Sequence, residues 1–278
     1  MTNKRKFIMC SPAHYKIEYA INDWTGESIS RGEIVNVGKS LIQWNEIYKH
    51  YLSQDLKVEL VECKENNHEL TFFGDSIFLL GEQAILSNYR FGVRDIEAKT
   101  AKIWARNAGL TVTELPSNMF FEGNAMAILW QDKLLMGYGM RTSKDVSTLL
   151  SGCLEIEVIP LELKAPFFHR DLALFALNQD TLVIYKNAFS EEALKELCRC
   201  ADNIIEVDPK EAMQLACNSM VVGNTVLMSR DCANIRTILE GKGYQTIVFD
   251  TSEFAKVGGG VKCLTLEHYR YEARSQLL

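Results

Sequence analysis

Four stretches of the chain are built on one plan: DSIFLLGEQAIL from Asp75, NAMAILWQDKLLM from Asn124, DLALFALNQDTLVIY from Asp171 and NSMVVGNTVLM from Asn218. Each is an apolar run, a tight polar turn and a second apolar run, the pattern of a β-hairpin with a buried face. The turns fall near Gly81, Gln131, Gln179 and Gly223. That spacing of about 44 to 50 residues lies in the range of propellers and solenoids. Behind each hairpin comes a helical stretch and another strand. In SEEALKELCRCA, Ser190 is placed to cap, Glu191 and Glu192 favour the helix start, and Ala193, Leu194, Leu197 and Cys200 share one face. NIIEVDP at 203–209 then reads as a strand. CANIRTILEGKG repeats the helix, with Gly241 and Gly243 as its stop, before the strand YQTIVFDTS. The N-terminal unit has to come from KFIMCSPAHYKIEYAI, a helix around Gln43 to Leu52, and LKVELVEC at 56–63.

Five ββαβ-like units of one size predict an α/β fold, a five-bladed propeller around a pseudo-symmetry axis, as one domain over residues 1–278. A parallel α/β sheet also alternates strands and helices, but the hairpin inside every unit speaks against it. Polar residues recur where each hairpin begins: Asp75, Glu122 with Asn124, His169 with Asp171, and Asn218. In a ring those starts converge, so acids and a histidine far apart in sequence would share one pocket.

The formal charge of −6 disfavours a general nucleic-acid surface and leaves small molecules or proteins as partners, with a homodimer kept open. No stretch approaches the roughly 20 apolar residues of a membrane span. Eight scattered cysteines without a CxxC pair suit reduced thiols, so the expectation is a soluble cytoplasmic protein. Cys198-Arg-Cys200 has no matching His or Cys pair nearby, and neither a metal nor a cofactor is expected. His14, His50, His68 and His268 read as surface residues.

KVGGGVKCLTL from Lys256 follows the last strand and reads as the end of the folded pattern. Three glycines let the backbone approach a ligand closely, and a positive neighbour at Lys262 would favour the thiolate of Cys263. His169, in PFFHRDLAL, enters a strand after two phenylalanines, where an ordinary core histidine is the plain alternative.

MCSPAHYKIEYAIND near the start, FEGNA at 121–125, HRD at 169–171 and GGGVKCLTL at 258–266 together resemble the ordered motifs of the guanidino-group-modifying enzymes. That superfamily holds arginine deiminases, dimethylarginine dimethylaminohydrolases, amidinotransferases and arginine dihydrolases, all of the pentein fold. The resemblance covers nearly the whole chain. It implies Cys263 as nucleophile, His169 as acid and base, and Glu122 as the acid that orients the histidine. It implies Asp75 and Asp171 as guanidinium-binding acids, Arg94 and Arg141 as clamps for a substrate carboxylate, and Asn22, in IND where relatives write INP, as a further substrate contact. The chemistry is coherent, because a guanidinium is a poor electrophile with a poor leaving group and needs both a sulfur nucleophile and a placed proton donor.

Within the superfamily, dimethylarginine hydrolases typically carry lysine where this chain has Asp171. Arginine dihydrolases carry asparagine where it has Asp75. Both differences favour one-step deimination of an unmethylated guanidine to a ureido product and ammonia. Dimethylarginine hydrolysis and amidino transfer are the alternatives, and a non-catalytic ligand-binding propeller is the different class. The EGGD-type motif is altered here to Glu122-Gly-Asn-Ala125, which removes its second acid.

Overall fold

Runs such as IFLL and AILW are apolar at every position, so as strands they must be covered on both faces. A computed structural model of the chain describes residues 5–269. Along it lie β1 (Lys6–Cys10), α1 (Asp23–Ser30), α2 (Val37–Ser53) and β2 (Lys57–Val61), then β3 (Ile77–Leu80), β4 (Gln83–Leu86), α3 (Asp95–Asn107) and β5 (Thr111–Thr113). The next unit is α4 (Gly123–Met126), β6 (Ala127–Trp130), β7 (Lys133–Tyr138), α5 (Val146–Leu154) and β8 (Glu157–Glu162). It is followed by β9 (Leu174–Ala176), β10 (Thr181–Ile184), α6 (Glu191–Cys200) and β11 (Asn203–Glu206). The last stretch holds α7 (Pro209–Met213), β12 (Met220–Val222), β13 (Thr225–Met228), α8 (Ala233–Gly241), β14 (Gln245–Val248), α9 (Ser252–Ala255) and β15 (Leu266–His268).

These strands form five three-stranded mixed sheets. In four of them a hairpin supplies an antiparallel pair, as in Ile77↔Leu86, and the strand after the helix joins parallel to the hairpin's second strand, as in Gln83↔Thr111. The hairpin strands are the most enclosed: every residue of β3, β6 and β10 is buried. The third strand is half solvated, as in β14. The hairpins sit where the sequence places them, and Gly81, Gln131 and Gly223 carry φ of 59°, 56° and 55° at the first turn position, the left-handed region that tight hairpins require. Ser190 accepts a hydrogen bond from the Ala193 amide and starts α6, whose Ala193 and Leu197 are buried.

The N-terminal unit differs from the sequence reading. Only KFIMC of its first stretch is a strand; β1 is the middle strand of its sheet, parallel to β2 and antiparallel to β15 (Lys6↔His268). The glycine-rich segment therefore does not end the folded pattern. It leads into the strand that completes the first sheet, and His268, read as a surface residue, lies in that strand with Nε2 2.7 Å from the Gly81 carbonyl oxygen. A hydrophobicity pattern cannot announce this pairing, because the partners β1 and β15 stand at opposite ends of the chain.

Neighbouring units touch at equivalent positions. The His169 ring meets Glu122 across 47 residues, Arg170 donates to the Asn124 carbonyl across 46, Asn218 donates to the Asp171 carbonyl across 47, and Asn218 meets Cys263 across 45. Gly123 packs so closely on the Gly74 carbonyl that a Cβ there would stand 2.4 Å from it. Among the described residues, no helix is long and apolar enough to cross a membrane.

Candidate active site

The hairpin starts bring most of the predicted residues to one narrow cavity, whose wall includes Asn22, Glu69, Asp75, Arg94, Arg141, His169 and Cys263. Glu122 and Asp171 stand immediately behind it. His169 is extended backbone just before β9, and its Nε2 lies 2.6 Å from Glu122 Oε2. Arg141 donates to both oxygens of the same carboxylate, at 3.0 and 2.9 Å. Burial alone would raise the Glu122 carboxyl, but the Arg141 guanidinium and the His169 bond outweigh it and hold the group at about 2. An ionised carboxylate only accepts, so Nε2 carries the hydrogen and Nδ1 is left for proton transfer.

Cys263 is buried, and its Sγ lies 3.4 Å from Asp171 Oδ2 and accepts from Asn218 Nδ2 at 3.0 Å. Asn218 Oδ1 in turn accepts from the backbone amides of Lys262 and Cys263, which fixes the cysteine's backbone. Burial pushes the Cys263 thiol well above its usual range, and the charges of Asp171 and Asp75 push it further. Lys262 attracts the Cys263 thiolate only weakly: its ammonium turns to the Thr265 carbonyl at 3.4 Å, and burial lowers it to about 8. Adjacent residues in a turn need not point the same way.

Asp75 and Asp171 each keep one buried carboxylate oxygen, Oδ1, without a hydrogen-bond partner. Buried carboxylate oxygens are costly unless they meet donors. The two arginines both line the cavity. Arg94 spends its guanidinium on Glu97 (2.6 Å), Asp75 (2.8 Å) and Glu69 (3.3 Å), and Arg141 on Glu122 and the Ile21 carbonyl (2.8 Å). Both heads are buried and held by protein groups, while Arg141 Nε has no partner. Asn22 caps α1 by accepting from the Thr25 amide and donates to the Val257 carbonyl. The glycine run also has another cause than ligand approach: a Cβ on Gly259 would stand 2.5 Å from the Phe72 ring, and one on Gly260 2.1 Å from Ser229 Oγ.

Sequence reasoning passed over three groups here. Asn218 had a signal, being the polar start of the fourth hairpin. Glu69 and Glu97 had none; burial raises Glu69 to about 7, with Arg94 opposing and Glu97 and Asp75 adding to the rise. Ala125, where the motif's second acid is missing, is buried in α4.

A cysteine and a histidine–acid pair beside anionic walls, on five small mixed sheets, define an enzyme site of the pentein type. The chain belongs to the eukaryotic N,N-dimethylarginine dimethylhydrolase family, whose sequence model matches residues 11–270. It is 32% identical over 271 residues to the bifunctional arginine dihydrolase/ornithine cyclodeaminase AgrE of Nostoc sp., a match that covers 96% of this chain and 38% of that protein's length. It is 29% identical over 265 residues to the N(G),N(G)-dimethylarginine dimethylaminohydrolase of Mycobacterium tuberculosis, covering 95% of this chain and 85% of that one. Among solved structures, the product-bound N-terminal domain of ArgZ, a cyanobacterial arginine dihydrolase, superposes with a TM-score of 0.90 at 27% identity, covering 96% of this chain and 99% of that one.

Proposed function

We propose that the chain hydrolyses the guanidino C–N bond of arginine or a terminally unmodified arginine derivative, through a covalent intermediate on Cys263, to a ureido product and ammonia. The observation that carries this is the pair of unpartnered oxygens on Asp75 and Asp171 beside a buried cysteine thiol and the His169–Glu122 pair. A guanidinium offers the planar fork of N–H donors that two such carboxylates need. Its positive charge also offsets the two carboxylates that hold the thiol up, so substrate binding itself favours the thiolate.

The Cys263 thiol gives up its proton to His169, and Sγ bonds to the guanidinium carbon. His169 protonates the departing nitrogen, the C–N bond breaks and ammonia leaves an amidino thioether. Water, deprotonated by His169, then adds to that carbon; the C–S bond breaks and the thiol is restored. Glu122 holds His169 in its tautomer, Asn218 supports the sulfur, and Arg94 and Arg141 act through the acids they hold.

The proposal takes residues 1–278 as one domain whose sheets close into a five-bladed ring, supported by the contacts between equivalent positions of successive units. A reducing cytoplasm suits the eight free cysteines. A homodimer would cover the exposed Ile96 and Ile103 of α3, two turns apart on that helix; light scattering on the purified chain tests it.

Dimethylarginine hydrolysis is the second reading, favoured by the matching family and the mycobacterial relative. A ureido-product assay on arginine, agmatine, monomethylarginine and asymmetric dimethylarginine, with ornithine analysed alongside, separates them. A dimethylated nitrogen presents methyl groups to desolvated carboxylates, which keep their burial cost without bonds. Arginine should therefore exceed dimethylarginine by at least about a hundredfold in kcat/KM, roughly 2.7 kcal/mol. Preference for dimethylarginine overturns the reading of Asp171. Ornithine from arginine signals dihydrolysis, and transfer to added glycine an amidinotransferase.

A further inference from the structure

A second cavity is larger than the catalytic one. It measures about 560 Å³ and opens where the hairpin turns gather, near Gln131, Gln179 and Gly223. The catalytic cavity is at the other end of the same strands, where the hairpins begin. Arg170 and Lys262 belong to the lining of the larger cavity, although their sequence neighbours Asp171 and Cys263 belong to the catalytic site.

Both of these cations are buried, at 0% and 4% exposure. Among the described residues neither forms an ion pair within 4.0 Å. Arg170 spends its terminal nitrogens on the carbonyls of Leu174, Asn124 and Ala127, and its Nε–H has no partner. Lys262 has one long bond, 3.4 Å to the Thr265 carbonyl. The Tyr269 hydroxyl, buried in the same lining, is also without a partner. The charges nearer the opening cancel: Arg5 pairs with Glu267 at 2.6 Å, and Lys6 with Glu59 at 2.6 Å. Lys262 and Arg170 thus lack an ion pair in contact, with Glu267 and Asp171 acting on them only from a distance, and apolar walls from Trp130, Phe175 and Tyr244 complete the cavity.

We infer that this cavity is a second binding site, for a small organic anion whose carboxylate or phosphate head meets Lys262, with the Arg170 charge buried behind it, and whose aromatic or aliphatic body lies on the apolar walls. A buried cation held by one long hydrogen bond and no contact ion pair carries a desolvation cost on the order of several kcal/mol, which an anionic ligand on Lys262 offsets. The volume fits, since small-molecule sites span roughly 300 to 1,000 Å³ and combine apolar walls with a few convergent polar groups. Burial pulls the Lys262 ammonium down to about 8, against the opposing effect of Glu267 and Asp171.

Titration calorimetry of the full chain with phenyl phosphate, benzoate and benzylamine tests this. At least one of the two anions should bind with one-to-one stoichiometry and a Kd of about a millimolar or below, and benzylamine, the cationic control of similar shape, should not displace it. Phenyl phosphate against benzoate distinguishes a phosphate from a carboxylate head. Lys262→Met should weaken the anion at least about tenfold by removing a charge, and Val221→Trp should do so by filling the cavity from its wall. Thermal melts confirm that each variant is folded, and Val221→Trp, remote from Cys263, serves if Lys262→Met is not. The inference is overturned if neither anion binds by about ten millimolar, if benzylamine displaces the bound anion, or if folded Val221→Trp retains full affinity.

Discussion

The thiol of Cys263 stands in the field of two carboxylates, and this decides how its reactivity should respond to pH and to mutation. Held well above its usual range by burial, Asp171 and Asp75, the free thiol is almost wholly protonated at neutral pH. Its alkylation by a neutral reagent such as iodoacetamide should rise close to tenfold per pH unit through pH 9 without a plateau, because below the pKa the thiolate fraction scales that way. Asp171→Asn removes one of the charges that raise the thiol. It should speed neutral alkylation at fixed pH while weakening arginine binding by about 1.5–3 kcal/mol, the range for a lost bond to a charged group. Stopped-flow alkylation and steady-state kinetics on one preparation read both effects. A plateau near pH 8 in the parent, or equal slowing of both reactions in the variant, would count against this account.

At the level of elements, the EG step that opens α4 is the least tolerant backbone in the site. Gly123 has φ of 49°, and a Cβ there would meet the Gly74 carbonyl at 2.4 Å and the Ile77 carbonyl at 2.6 Å. Left-handed backbone costs an ordinary residue roughly 1–2 kcal/mol, and overpacking against backbone about 1–3 more. Gly123→Ala should thus destabilise the fold by about 2–5 kcal/mol in denaturant melts, and shift Glu122 against His169. Ser190→Ala, far from the site, should cost only about 1 kcal/mol through the lost cap of α6 and leave turnover unchanged. An unchanged melt for Gly123→Ala would show that the close approach to Gly74 relaxes freely.

For the whole molecule, the first sheet tests how the ends of the chain are joined. Leu266 of β15 is fully buried, whereas Leu60 of β2, in the same sheet, is 51% exposed. Leu266→Ala should cost about 2–5 kcal/mol, as core leucines do, and Leu60→Ala no more than about 0.5. Near- and far-ultraviolet circular dichroism should report one coincident transition for each variant, as a single domain requires. Two separable transitions, or equal costs at the two leucines, would deny that β15 ties the N-terminal unit into one core.

The sequence by itself determined the hairpins, their period and the polar residue at each hairpin start, because strand alternation, turn chemistry and helix capping act over a few residues and leave their mark in order along the chain. Its motifs, lying in order along the chain, also carried the family resemblance that pointed to Cys263, His169, Glu122, Asp75 and Asp171. The tertiary structure decided what depends on direction and distance in space. Only there does β15 reach β1, Lys262 turn away from the cysteine beside it, Arg94 and Arg141 spend their charge on Asp75, Glu97 and Glu122, and Asn218 come to Cys263 Sγ. Charge balance and burial are sums over neighbours from every part of the chain, and no local pattern of residues carries those sums.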